Sequence, residues 1–237
     1  MDHASPPRAV VSWSGGKDSA LALHRALTGR THRVDALLTT VTDEYERISM
    51  HGVRVSLLEA QARAIGLPLQ VARIPRACTN ERYETVARGA LAAYAADGGE
   101  AVIFGDLFLE DVRAYRETLL APLPLAPSFP LWGEDTRELA RRFVALGFRA
   151  VLACVDPKQI DPAFAGREYD ERLLAELPAS ADPCGERGEF HTFVYDGPIF
   201  RAPVAIARGE VVERDEFVFC DLLPSRSPQQ GGPRPRI

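Results

Sequence analysis

Ser14-Gly15-Gly16-Lys17-Asp18-Ser19 combines, in six residues, the groups needed to grip a phosphate. Two adjacent glycines can take positive φ and let an anion come close to the backbone. The N–H groups that follow are the unpaired donors of a helix N-terminus, where the macrodipole favours negative charge. Ser14 and Ser19 add hydroxyls, and Lys17 adds a full positive charge. Asp18 alone would repel a phosphate. It fits either as a first-turn carboxylate or as a ligand of Mg²⁺ bridging it to the phosphates. The loop is not the Gly-x-x-x-x-Gly-Lys-Ser/Thr pattern of kinases and GTPases, because its spacing is shorter and Asp18 replaces the Ser or Thr. The plain alternative is a tight strand-to-helix turn with an incidental lysine. The rarity of lysine, present only as Lys17 and Lys158, weighs against it.

A second reactive segment is Cys184-Gly185-Glu186-Arg187-Gly188-Glu189-Phe190-His191-Thr192. Glu186 and Glu189 between glycines make an acidic turn that can hold a cation, orient an amine or act as a general base. By composition alone it can equally be a solvated turn. A lone histidine such as His191 is more often a structural residue than a catalyst. Asp106, after an apolar run, is placed for ribose, metal or substrate contact. Arg113 and Arg116 can clamp phosphate or carboxylate, and Trp132 reads as packing.

The elements that must position these groups follow from periodicity. Ala9–Trp13 reads as a buried strand and residues 17–28 as a helix, with Ala20, Leu23 and Leu27 on one face and Gly29 as its C-cap. Strands are predicted over 34–41, 67–74 and 101–104, and helices over 56–65, 80–96 and 110–120. Ser56 and Glu59 form a candidate capping box, and Gly66 a stop. Alternating strands and helices imply βαβ units and a mainly parallel, Rossmann-like sheet with helices on both faces. Ligands bind such sheets at the carboxyl ends of the strands, where the glycine loop lies. Pro122, Pro124, Pro127 and Pro130 mark a boundary that can include an edge strand. Beyond it, a helix over 135–146 and strands over 150–155, 190–195, 204–207 and 216–219 suggest a smaller α+β region. The expected division is residues 8–130, residues 131–222 and a disordered tail over 223–237.

The 237 residues are 46% hydrophobic and 26% charged with a net charge of −5, an ordinary globular balance. No basic run favours nucleic acid. No apolar run approaches the ~20 residues that cross a bilayer, and the first residues lack a signal-like core, so a cytoplasmic location is expected. Cys78, Cys154, Cys184 and Cys220 are scattered without metal-binding spacing.

Ser-Gly-Gly-Lys-Asp-Ser after an apolar strand resembles the PP-loop of the N-type ATP pyrophosphatases. The Gly-Glu-Arg-Gly-Glu-Phe-His-Thr stretch leading into Asp196-Gly197-Pro198-Ile199-Phe200 resembles the signature of the diphthine–ammonia ligase family. Met50-His51 ahead of Leu58-Glu59-Ala60-Gln61-Ala62, Gly105-Asp106 with Arg113 downstream, and Leu131-Trp132-Gly133 agree with it. The likeness spans roughly residues 8–222. It implies an adenine-nucleotide-hydrolase (HUP-type) fold and cleavage of ATP between its α- and β-phosphates to adenylate a carboxylate, which ammonia then amidates. It implies nucleotide contacts from Ser12, Ser14, Gly15, Gly16, Lys17, Asp18, Ser19, Gly105 and Asp106. Lys17, Asp18, Glu186 and Glu189 become the catalytic candidates, with Asp18 holding Mg²⁺. His51, Gln61, Arg113, Glu186, Glu189, His191 and Thr192 become the substrate candidates. His191 stands where the family pattern has Glu, and the extra C-terminal domains expected of eukaryotic members are missing. Expected partners are ATP, ammonia and a small or protein-borne carboxylate, with a homodimer admitted and neither membrane nor nucleic acid involved. The competing readings are a tRNA sulfurtransferase, which needs a cysteine pair and a positive face, and a nucleotide-binding regulator without turnover.

Overall fold

A computed structural model describes residues 5–42, 47–48, 52–75 and 79–225. Met50, His51, Cys78 and residues 226–237 lie outside them. The first sheet contains β1 (Arg8–Ser12), β2 (Arg33–Thr42), β4 (Leu69–Ile74), β5 (Ala101–Ile103) and β6 (Ala126–Ser128), all parallel in the order β4-β2-β1-β5-β6. The two residues of β3 (Arg47–Ile48) run antiparallel to the end of β2. Strand order reverses about β1, so the switch point lies at its carboxyl end, where the glycine loop begins.

Side chains of β1 alternate between two cores, as a strand covered on both faces requires. Ala9 and Val11 join a cluster with Leu23 of α1 (Lys17–Gly29) and Leu57 of α2 (Val55–Ile65). Val10 joins Leu91 of α3 (Asn80–Ala96) and Leu119 of α4 (Glu110–Leu120) on the opposite face. The proline-rich stretch contributes β6, whose Pro127 sits opposite Val102 at the sheet's edge, where a missing N–H is tolerated.

The second sheet is antiparallel, in the order β8-β7-β10-β9, from β7 (Arg149–Val155), β8 (Phe190–Asp196), β9 (Ile206–Arg214) and β10 (Phe217–Pro224). Phe143 of α5 (Thr136–Ala145), Val151 and Phe193 belong to the same cluster as Ala9 and Leu23, so both sheets share one core. Asp135 caps α5 by accepting from the Glu138 N–H.

Several local expectations are corrected. Helix α1 includes Gly29, and the left-handed cap falls on Arg30 at φ 50°. Ser56 lies inside α2: the N-cap is Arg54 and has no side-chain cap, so the expected capping box does not form, while Gly66 does end the helix at φ 83°. The runs read as short strands at 204–207 and 216–219 are parts of one long hairpin. Its turn, Asp215-Glu216, takes positive φ at both residues without a glycine to announce it. Leu223 and Pro224, the first two residues of the expected tail, still pair with Ala207 and Ile206. The short α6 (Glu171–Glu176) was not anticipated.

Candidate active site

The loop between β1 and α1 is shaped by close packing on three sides. Gly15 has φ 77°, and a Cβ there would meet Leu58 Cδ2 at 2.7 Å and Gln61 Oε1 at 2.9 Å. A Cβ on Gly16 would approach the Thr192 carbonyl oxygen at 3.2 Å. From the β5 side, a Cβ on Gly105 would stand 2.8 Å from the Asp18 carbonyl carbon and 2.9 Å from the Ser19 nitrogen. A side chain at Gly15 or Gly105 would force its neighbours to shift, and one at Gly16 would be tight.

Inside this frame the polar groups turn toward a common space. The Ser14 and Ser19 hydroxyls lie 3.2 Å apart, and Ser19 Oγ donates to the Gly16 carbonyl at 2.9 Å. The Lys17 ammonium, 3% exposed, reaches both Asp18 oxygens at 2.8 and 2.7 Å. Burial opposes its charge, yet Asp18 first and Glu186 after it hold its pKa above the ordinary lysine value. Asp18 is itself raised, first by burial and then by Asp182 and Asp106, with Lys17 acting the other way.

Glu186 stands across the space. Its Oε1 accepts from the Leu107 N–H at 2.8 Å, tying the acidic turn to the segment after β5. Burial pushes its carboxyl up to about 7, helped by Asp18 and Asp106 and opposed by the Leu107 hydrogen bond and Lys17. His191 is lowered to about 4, by burial first and by Lys17 second, so its ring is neutral. One cavity of about 350 Å³ is lined by Ser12, Ser14, Gly16, Lys17, Asp18, Ser19, Gly105, Asp106, Glu186, His191 and Thr192. The glycine loop and the acidic turn, about 170 residues apart in sequence, thus face the same space. Arg116, Phe104, Cys184, Gly185, Gly188, Phe190 and Phe217 complete the lining. A neighbouring, more apolar cavity of about 360 Å³ shares Ser12, Ser14, Phe104 and Arg116, and adds Leu38, Thr39, Thr40, Leu91, Val102 and Leu119.

Four expected site residues are placed elsewhere. Gly15 is packed behind the loop. Gln61 is fully buried, and its amide is spent on Trp13 Nε1, the Gly15 carbonyl and the Val194 carbonyl, so it cannot meet a substrate. Glu189 is 1% exposed and accepts the Asp182 and Arg187 N–H groups at 2.7 and 3.0 Å, which organises the turn from within. Arg113 stacks on Phe129 and Trp132 at 4.9 and 4.8 Å and pairs with Glu117. The helix presents Arg116 instead, 3.4 Å from Asp106. The aromatic pair at 129 and 132 was the available hint that one arginine would be held away. His51 lies outside the described residues.

Among the described residues, no three His, Cys, Asp or Glu side chains converge as a metal-binding group. Asp18 offers one carboxylate beside the phosphate-shaped loop. That fits a magnesium ion carried mainly by phosphates and water. No helix of the described residues is long and apolar enough to cross a membrane.

The diphthamide synthase N-terminal domain matches residues 7–121, and the diphthamide synthase C-terminal domain matches residues 135–222. The chain is 25% identical to the diphthine–ammonia ligase of Mus musculus over 91% of its own length and 88% of that protein. It is 24% identical to that of Homo sapiens over 91% and 88%. The diphthine–ammonia ligase of Schizosaccharomyces pombe matches at 30% identity, over 52% of this chain and 21% of that protein. Extra domains are therefore not general among eukaryotic members, since the mammalian proteins are nearly covered. Among solved structures, a tRNA thiolase from Methanococcus maripaludis aligns at 16% identity and a TM-score of 0.37, over 60% of this chain and 57% of that one. With both of its domains matched in order, the chain belongs to the diphthamide synthase family.

Proposed function

We propose that the chain is an ATP-dependent ligase that adenylates a carboxylate and amidates it with ammonia, in the manner of a diphthine–ammonia ligase. The observation that carries this reading is the shared cavity, in which the phosphate-shaped loop and the Glu186 turn face each other. The triphosphate would lie against the Asp18 and Ser19 amides, the Ser14 and Ser19 hydroxyls and Lys17, which would exchange Asp18 for phosphate oxygen. The apolar neighbour lined by Leu38, Leu91 and Val102 suits a purine ring. Asp18, released from Lys17, would hold Mg²⁺, which neutralises phosphate charge when bound.

The acceptor carboxylate oxygen attacks the α-phosphorus. The bond from that phosphorus to the α,β-bridging oxygen breaks, and pyrophosphate leaves with the electron pair. Ammonia then attacks the acyl carbon, and AMP departs with the electrons of the acyl C–O bond. Glu186 takes a proton from nitrogen as the C–N bond forms. Its pKa of about 7 suits a base at neutral pH. Fixed donors around the phosphates and the aligned reactants supply the rate. The neutral His191 ring, where the family pattern has Glu, leaves that wall of the cavity uncharged.

The sulfur-transfer reading lacks support from the described cysteines. Burial pushes both Cys154 and Cys184 up to about 12, so neither is a thiolate at neutral pH. The test is product analysis with ATP, ammonia and candidate carboxylates. AMP and pyrophosphate should form in equal amounts, and Lys17→Ala should lower the rate about 10²-fold or more. ADP and phosphate as products would refute the reaction, and tight ATP binding without turnover would favour the regulator.

A further inference from the structure

Two hydrogen bonds join the glycine loop directly to the second sheet and two more run through Gln61 of α2, and the proposed chemistry uses none of the four. The Val194 N–H donates to the Gly15 carbonyl at 2.9 Å. The Lys17 N–H donates to Thr192 Oγ1 at 3.0 Å. Gln61 Nε2 donates to the Gly15 carbonyl at 2.9 Å and to the Val194 carbonyl at 2.6 Å. A fifth bond fixes the amide itself, as Trp13 Nε1 donates to Gln61 Oε1 at 2.9 Å. Every hydrogen of the Gln61 amide therefore has an acceptor, and one side chain of α2 ties Trp13 just after β1, the loop and β8 together.

This arrangement decides which loop amides face the cavity. The Lys17 amide is occupied by Thr192, and the Gly16 amide leans on Ser14 Oγ at 3.3 Å. The Asp18 and Ser19 amides, next along the first turn of α1, remain for an anion. Gly105 presses on these two residues from the other side. The loop is thus clamped between β8 and the segment after β5.

We infer that Gln61 and Thr192 are positioning residues for nucleotide binding, and that strand β8 of the second sheet is a structural part of the phosphate site. Gln61 does so without touching ligand, because it is fully buried behind Gly15. Thr192 does so from the cavity wall through the Lys17 amide. The inference rests on the reading of the loop as an ATP site.

The experiment is calorimetric titration of the full chain with Mg²⁺ and an ATP analogue carrying a methylene at the α,β-bridge. Thr192→Val, which keeps the shape and removes the acceptor, should weaken binding about tenfold, the most that one hydrogen bond commonly supplies. Thr192→Ser should restore it to within about twofold. Gln61→Met should weaken binding at least as much at a temperature where it remains folded, and should raise KM for ATP more than it lowers kcat. An effect of Gln61→Met cannot be lost ligand contact. Wild-type affinity in Thr192→Val, or in folded Gln61→Met, would overturn the inference. If Gln61→Met does not fold, the Thr192 pair decides. Failure of the unaltered chain to bind the analogue would instead sink the ATP reading.

Discussion

Gly105→Ala should cripple the enzyme while leaving it folded. Gly105 does not have positive φ, so alanine meets no backbone penalty there, and the effect is steric alone. The new methyl would lie 2.8 Å from the Asp18 carbonyl carbon, 2.9 Å from the Ser19 nitrogen and 3.0 Å from the Asp18 oxygen. Comfortable contacts between such atoms begin at about 3.5 Å, so something must move by roughly 0.5–0.7 Å. All three atoms are backbone atoms in the first turn of α1, so no side-chain rotation relieves the clash. Overpacking of this kind costs about 1–3 kcal/mol. At about 2–4 °C per kcal/mol for a chain of this size, Tm should fall by roughly 2–12 °C. The same shift displaces the amides proposed to hold phosphate, and a displacement near 1 Å costs about 10²-fold in rate. Pyrophosphate release should therefore drop roughly 10- to 100-fold. The control is Gly89→Ala, mid-helix in α3, where a Cβ meets nothing within 4 Å. It should add about 0.5–1 kcal/mol of stability and leave activity alone. Wild-type kcat and KM in Gly105→Ala would refute the reasoning.

Glu186→Gln should abolish the rise in kcat through about pH 7 that a carboxylate base requires. Because the fold raises this carboxyl above 4.5, the native state binds the extra proton, and stability falls as pH climbs from about 4.5 to about 7. The variant should escape that fall, so its Tm relative to the unaltered protein should be higher at pH 8 than at pH 5. His191 has the opposite sign. Its folded value of about 4 lies below the free value of 6.5, so its contribution is full above 6.5 and is lost as pH falls through 4. His191→Gln should flatten that acid limb in thermal melts. Arg116→Ala should raise KM for ATP about tenfold through loss of a cavity cation. Arg113→Ala should spare KM and lower Tm through loss of two ring contacts worth about 0.5–1 kcal/mol each; a larger KM effect from Arg113 would reverse this assignment.

The first sheet was legible because β1, β2 and β5 are compact apolar runs and the helices between strands repeat at 3.6 residues, whereas β6, Ala126-Pro127-Ser128, is short and mostly exposed and showed only as a proline-marked edge. The glycine loop was legible because its chemistry is contiguous. The division of labour within the second motif was not. Glu186 and Glu189 look equivalent in sequence, but Gly185 and Gly188, at φ 67° and 86°, turn one toward the cavity and one into the turn. Gln61 resembled a substrate ligand because it is a polar residue in a motif. Its partners Trp13, Gly15 and Val194 are brought to it only by tertiary packing. Arg113 and Arg116 differ by less than one helical turn. Their fates are set by Phe129 and Trp132 from beyond β5. The hairpin of β9 and β10 escaped notice because Asp215-Glu216 lacks the usual asparagine–glycine signal.

The bond between the Lys17 amide and Thr192 spans 175 positions. Ribosomes add about 5–20 residues per second, so the loop is translated roughly 10–35 s before the strand that completes it. A nascent chain in that interval carries the whole phosphate motif without its supporting wall. On the reading of the loop as an ATP site, full affinity for nucleotide is reached only once β8 has emerged to complete that wall.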